Sequence, residues 1–267
     1  MPLFQIILLA VIQGVTEFLP VSSSGHLILL PGLTGLEDQG LVIDVAVHVG
    51  TLGAVILYFR HDVARALRGL LDLMGGRAQT PDARLSLGLI IATIPVVLAG
   101  LVMQVTGLSD ALRSVAVIGW TMLGFGIVLY WADQTGGSDR TEADWTPRHA
   151  LYMGLWQALA LIPGTSRSGI TITGARRLGY GREDAARLAM LMSIPTIAAS
   201  GVLLGAEVLT QADAAAMRDG AIAAFFAFIT AFLALGLMMR LLKSVSFTPY
   251  VIYRVVLGVV LLIYAYS

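Results

Sequence analysis

The chain has 267 residues, 57% of them hydrophobic and 13% charged, with 17 Lys and Arg balanced by 17 Asp and Glu. A mean hydropathy of +0.83 is more than a water-soluble core can hide, so the chain reads as a polytopic helical membrane protein. Zero net charge argues against a nucleic-acid partner, and the lack of cysteine excludes disulfides and thiolate chemistry.

The N-terminus is apolar without a basic leader and runs straight into Gln13 and Glu17, so it is expected to belong to the mature fold rather than to a cleaved signal. Residues 3–33 form two apolar arms, each too short to cross a bilayer, broken at Pro20. Such a pattern predicts a re-entrant hairpin, tolerated only where protein or water covers the exposed backbone. Three stretches of about 20 residues, the length a span needs, follow at 41–59, 85–105 and 115–131. A hydrophilic linker at 133–148 leads to a second broken pair at 151–178, interrupted by Pro163 and Gly164, and then to spans at 188–209, 221–241 and 249–266. The predicted fold is all-α, with an inverted-topology repeat: residues 1–132 and 149–267 each form a re-entrant helical hairpin plus three transmembrane helices. Three crossings per half turn the second copy upside down. Arg65, Arg68 and Arg77 in the 60–84 stretch, expected to be a loop, then Arg140 and Arg148, then Arg176, Arg177, Arg182 and Arg187 mark cytoplasmic segments, whereas the 31–40 loop carries only Glu37 and Asp38. On this count the linker is cytoplasmic, both termini lie outside, and the two hairpins enter from opposite sides.

The two breaks resemble each other. Gln13 to His26 reads QGVTEFLPVSSSGH, and Gln157 to Thr171 reads QALALIPGTSRSGIT; both hold a leading Gln, an apolar run, a Pro and then Ser-x-Ser-Gly. Polar groups inside a bilayer are expensive and mark function, and a repeated broken helix suggests two half-sites meeting near the midplane. Glu17 lies four residues after Gln13, on one helical face, as a metal ligand, a general base or a structural ion-pair partner. The run of Ser22, Ser23, Ser24, Gly25 and His26 places hydroxyls and amides ahead of a helical arm, where an anion is favoured. His26 can shuttle a proton or act as nucleophile. The second break, Gly164-Thr165-Ser166-Arg167-Ser168-Gly169, carries an arginine whose planar fork suits phosphate oxygens. Snorkelling from a helix end is assigned instead to Arg176 and Arg177. His48 is expected to pack beside Gly50 and Gly53, His61 and His149 to be solvated, and Pro95 and Pro195 to be matched kinks.

Gln13-x-x-x-Glu17, the LPVSSSGH run to His26, DVAVHVGTL and PGTSRSGIT together resemble the undecaprenyl-diphosphate phosphatase family, the bacitracin-resistance phosphatases, over nearly the whole chain. That resemblance implies a bacterial inner-membrane enzyme that removes the terminal phosphate of undecaprenyl diphosphate. It thereby recycles the carrier lipid for cell-wall synthesis and confers bacitracin resistance, with a divalent cation, Mg2+ or Ca2+, as cofactor. The positions carried over are Glu17, Ser23, His26, Ser166, Arg167 and Thr171. Gln13 departs from members that have a second glutamate there, and an amide can ligate a metal but cannot act as a base.

The expected chemistry is phosphoanhydride hydrolysis where the two tips meet, on the periplasmic side. Glu17, with Gln13 assisting, would hold the metal; His26 would move a proton and activate Ser23 or a water. Arg167 would neutralise the transferring group, while Gln13, Ser22, Ser24, Gly164, Thr165, Ser166, Ser168 and Thr171 bind phosphate oxygens. Expected partners are the lipid diphosphate and the bilayer, with a homodimer left open. Two rivals stand beside this reading. One is a secondary transporter or flippase of a polyprenyl phosphate lipid, because inverted repeats with broken helices are also a transporter plan. The other is an acid-phosphatase-like lipid phosphatase, whose pattern needs a Lys/Arg-Pro motif and a second histidine soon after the Ser-Arg, neither of which is present.

Overall fold

A computed structural model describes residues 1–35, 39–211 and 213–267; Glu37 and Asp38, which marked the cation-poor loop, lie outside them. The described residues form twelve α-helices in chain order: α1 (Leu3–Phe18), α2 (Ser23–Thr34), α3 (Gly40–Tyr58), α4 (Arg60–Met74), α5 (Pro81–Thr106), α6 (Leu108–Ala111), α7 (Val115–Thr135), α8 (Pro147–Ala158), α9 (Arg167–Arg177), α10 (Arg182–Gln211), α11 (Ala214–Leu241) and α12 (Thr248–Tyr266). Among the described residues there is no β-strand, only an isolated bridge between Arg140 and Tyr180. Among the described residues six helices, α3, α5, α7, α10, α11 and α12, are long and apolar enough to cross a membrane. They are the six expected from the hydrophobic runs. Their ends extend further because polar first turns, such as Arg182-Glu183-Asp184 on α10, are invisible to a search for apolar length. Large apolar side chains such as Val102, Val202 and Leu233 stay exposed along them, as a lipid-facing surface requires.

Both broken pairs are present as short helices. α1 ends at Phe18 and α2 starts at Ser23; α8 ends at Ala158, a 3-10 turn runs from Leu159 to Leu161, and α9 starts at Arg167. Each pair's first arm rests on the middle spanning helix of the other half: α1 packs on α11, and α8 packs on α5. Helices α3 and α11 come so close that a Cβ added to Gly50 would lie 2.2 Å from the Ala224 carbonyl oxygen. α7 and α12 pair along their lengths, and α10 crosses α3. The tips of both hairpins are thus enclosed by helices from both halves.

Three features depart from the expectations. The stretch after Phe59 is a fifteen-residue helix, α4, rather than a loop. Its apolar side chains recur at Val63, Ala66, Leu67, Leu70, Leu71 and Met74, a helical period too short and too polar to span. Arg176 does not snorkel. It is 2% exposed, paired with Asp133 at 3.3 Å and donating to the carbonyls of Asp133, Gly136, Gly137 and Tyr180. Asp133 also accepts from Arg182 at 2.7 Å, so the start of the linker is stapled to the second half. Arg177, in contrast, lies over the Trp131 ring at 4.2 Å. Pro95 and Pro195 both sit inside helices, but on the second spanning helix of one half and the first of the other, so they are not matched positions.

Candidate active site

The two tips are built by one backbone device. Among the described residues, Ser22 and Ser166 are the non-glycine residues with positive φ, +73° and +69°, a conformation that costs a side-chain-bearing residue about 1–3 kcal/mol and concentrates at functional sites. In each, the serine Oγ accepts the amide N–H of the glycine three residues on, Gly25 at 3.3 Å and Gly169 at 3.2 Å. That bond is an N-cap. In each, the same Oγ lies near a second serine hydroxyl, Ser24 at 3.4 Å and Ser168 at 3.2 Å. Two helix N-termini are therefore capped by hydroxyls inside apolar sequence, and both tips present amide-rich first turns to an anion.

The tips touch. Ser168 Oγ donates to the Leu19 carbonyl at 3.0 Å, and a Cβ on Gly25 would lie 3.6 Å from Gly164 Cα. Gly164 has φ +86° and sits against Ile118 and Thr121 of α7; Thr121 Oγ1 donates to the Pro163 carbonyl at 2.6 Å. Only glycine satisfies both the dihedral and the space there.

Glu17 is the centre of the contact. It is 8% exposed. Its Oε1 accepts Arg167 Nη2 at 2.6 Å, and its Oε2 accepts Ser23 Oγ at 2.6 Å and Gln13 Nε2 at 2.9 Å. Gln13, Glu17, Ser23 and Arg167, two from α1 and one from each tip, thus converge as the sequence reading expected of a shared site. Three buried polar atoms have no partner here: Arg167 Nη1 and Gln13 Oε1 within this group, and Thr165 Oγ1 on the second tip. Unpaired buried groups of this kind are costly; Arg167 Nη1 and the Thr165 hydroxyl are donors that suit an anion's oxygens, whereas Gln13 Oε1 can only accept. Arg167 spends one nitrogen on the carboxylate and keeps the other free of partners, which leaves half of its planar fork for a phosphate.

The other expected positions lie nearby in different states. His26 is one turn into α2; its Nδ1 donates to the Ser22 carbonyl at 2.7 Å, which leaves Nε2 as the acceptor of the Tyr253 hydroxyl at 2.6 Å. The rings are stacked, so His26 turns to α12 rather than to Glu17 or Arg167. Thr171 spends its hydroxyl on the carbonyls of Arg167 and Ser168 in its own helix. Ser24 is exposed at its tip.

Three contributors escaped the sequence reading. His48 is no packing residue: its Nδ1 donates to the Asp44 carbonyl at 2.7 Å, and its Nε2 faces Glu17 Oε2 at 3.9 Å. Tyr253 holds His26, and Arg254 is fully buried with its guanidinium on backbone carbonyls of both tips. The Arg254 signal was available, since it is the one charged residue in the apolar run 248–266; the other two depend on contacts across long sequence separations.

A divalent cation fits this donor set in one way. Among the described residues no three His, Asp or Glu side chains converge, so the protein does not offer a closed cage. It offers the Glu17 carboxylate and the orphaned Gln13 Oε1, and a hard cation such as Mg2+ is commonly held by one or two protein oxygens together with substrate phosphates.

The comparisons with known proteins agree along the whole chain. It is 71% identical to the undecaprenyl-diphosphatase of Ruegeria pomeroyi and 72% to that of Dinoroseobacter shibae, in both cases over the full length of both chains. It is 45% identical to the Chromohalobacter salexigens undecaprenyl-diphosphatase, covering 97% of this chain and 98% of that one. The sequence profile of the Bacitracin resistance protein BacA family matches residues 6–260, and by that match and these identities the chain belongs to the BacA family.

Proposed function

We propose that the protein hydrolyses undecaprenyl diphosphate to undecaprenyl phosphate and inorganic phosphate, with the lipid tail in the bilayer and the diphosphate between the two tips. The observation that carries this reading is the Glu17–Arg167 pair, 2.6 Å across the tip contact, with Arg167 Nη1 unpartnered beside two capped helix N-termini. The names of the relatives favour hydrolysis over the carrier reading. Ser23 is the attacking group. Its hydroxyl already donates to Glu17 Oε2; as Oγ bonds the terminal phosphorus, that proton passes to the carboxylate. The bond from phosphorus to the bridging oxygen breaks, and undecaprenyl phosphate leaves with the electron pair. Water then cleaves the phosphoserine, giving one proton to His26 Nε2 once that nitrogen gives up the Tyr253 hydroxyl, while Glu17 returns its own to Ser23. Arg167 and the first-turn amides of α2 and α9 stabilise charge gathering on the phosphoryl oxygens. Ser22, Ser166 and Ser168 set those turns. A bound Mg2+ or Ca2+ at Glu17 and Gln13 would add Lewis-acid polarisation of the phosphoryl group.

The reading also holds that the two halves are an inverted repeat, that the membrane is the inner membrane of a bacterium, and that the tips open to the periplasm. The assay is phosphate release by purified protein given undecaprenyl diphosphate, with and without a chelator, and with labelled terminal phosphate. Release that stops with chelator, and label trapped on Ser23 after acid quench, are the expected results. Absent release sinks the function, and label confined to free phosphate moves the attack to water.

A further inference from the structure

Arg254 is the unusual residue of the last helix. Its side chain is fully buried, and among the described residues no carboxylate lies within ion-pair distance of it. A buried charge without a counter-charge is expensive unless its hydrogen bonds are filled. All of its partners are main-chain carbonyls. Nη1 reaches Pro20 at 3.4 Å; Nη2 reaches Gly164 at 3.1 Å, Thr165 at 2.9 Å and Thr121 at 3.4 Å; Nε reaches Met122 at 3.3 Å. Pro20 belongs to the first tip, and Gly164 and Thr165 to the second. One guanidinium therefore joins the broken backbones of both half-sites and fastens them to α7. Carbonyls released where a helix breaks inside a membrane must find donors within the protein, and Arg254 supplies them for both breaks at once.

The geometry points to Arg254 as the positioning residue that sets the distance between the two tips, and so the fit of a single diphosphate between them. This inference rests on the diphosphatase reading of the site. Arg254 contacts none of the groups that meet the substrate in that reading; it acts through the backbone that carries them. The chain has no cis peptide among its described residues, and a trans peptide points its N–H opposite its C=O. Holding the Thr165 carbonyl therefore turns the Ser166 amide away from the guanidinium. The Ser-Arg-Ser-Gly sequence is shaped for this neighbour: a Cβ on Gly169 would lie 2.8 Å from Arg254 Nη1. An ångström of misplacement between reacting groups costs about a hundredfold in rate, whereas a polyprenyl tail in the bilayer holds the substrate regardless of tip spacing.

The test reads turnover and tip separation together. The chain has no cysteine, so spin labels can be placed alone at Ser24→Cys, exposed on the first tip, and at Leu159→Cys, 38% exposed beside the second. Distances are measured by pulsed electron resonance in nanodiscs, and kinetics on the unlabelled proteins. In Arg254→Met the distance distribution should at least double in width, with kcat down about a hundredfold and KM within about threefold. Arg254→Lys, whose ammonium keeps donors for some of the carbonyls, should fall between the two in both readouts. If the Met variant does not give a monodisperse protein, the Lys variant carries the comparison with wild type. Near-normal kcat in Arg254→Met overturns the inference, as does lost turnover with an unchanged distance distribution in either variant. A wild-type protein that releases no phosphate defeats the diphosphatase reading alone, because the spin-label comparison still reports whether Arg254 sets the spacing.

Discussion

The first tip, from Pro20 to His26, and the second, from Pro163 to Ile170, share a serine with positive φ, a hydroxyl cap on a glycine amide and a serine pair. They differ at the positions around that common frame. Where the first tip has Ser23 and His26, the second has Arg167 and Ile170; where the first arm carries Glu17, the second carries Leu161. The leading glutamines diverge too: Gln13 donates to Glu17, whereas Gln157 donates to the Ala92 carbonyl on α5. On one shared backbone frame, the first tip thus carries acid, hydroxyl and imidazole and the second carries fixed positive charge. The shared part is backbone geometry, which both copies need to end a helix inside a membrane. The divergent part is side-chain chemistry, which only one copy needs to supply.

The largest effect should come from cutting the link between the tips. Arg167→Ala leaves the Glu17 carboxylate buried without its cation, a change that costs about 3–5 kcal/mol, and it removes the phosphate-facing nitrogen as well. Phosphate release should fall by about a thousandfold, with helicity by circular dichroism retained. Near-normal release would break the division of labour drawn above. A middle-sized effect separates frame from chemistry. Ser166→Gly and Ser22→Gly relieve the positive φ and, as N-caps, lose only a few tenths of a kcal/mol. Thermal unfolding should therefore stay within a few degrees of wild type in both. Each removes a hydroxyl that sets its tip, so KM should rise about tenfold by the phosphate assay. If only one of the two raises KM, the tips do not share the phosphate. The smallest effect should come from Tyr253→Phe, which takes away the hydroxyl on His26 Nε2 and leaves the ring stack. A neutral hydrogen bond of this kind is worth about 1 kcal/mol, so kcat should change by about fivefold or less. A loss as deep as that of Arg167→Ala would instead make Tyr253 part of the reacting machinery.

Much of this was legible in the sequence because the bilayer makes it so. Apolar length alone locates the spans, and Glu17 and Arg167 stand out by being charged where charge is expensive. The Ser-x-Ser-Gly echo gave the paired caps. What escaped follows from the same logic used too coarsely. A window search passes over Arg254 because its neighbours are so apolar, although a lone arginine there meets the same criterion that singled out Arg167. Apolar length passes over α4, whose fifteen residues carry a helical period without the length of a span. The turn of His48 toward Glu17, and of Tyr253 toward His26, comes from helix packing between residues 31 and 227 positions apart, which no local pattern encodes.

The crossed packing of the hairpins bears on how the protein is made. When α1 and α2 leave the ribosome, α11, on which α1 rests, has not yet been synthesised, and neither has α12, whose Arg254 braces both breaks. The nascent first half must keep its polar tip sheltered, by the insertion machinery or by water, until the final two helices arrive. Assembly of the reactive centre is therefore deferred to the end of translation, and a chain that stalls before Arg254 is threaded into the bilayer lacks the brace that holds its two halves in register.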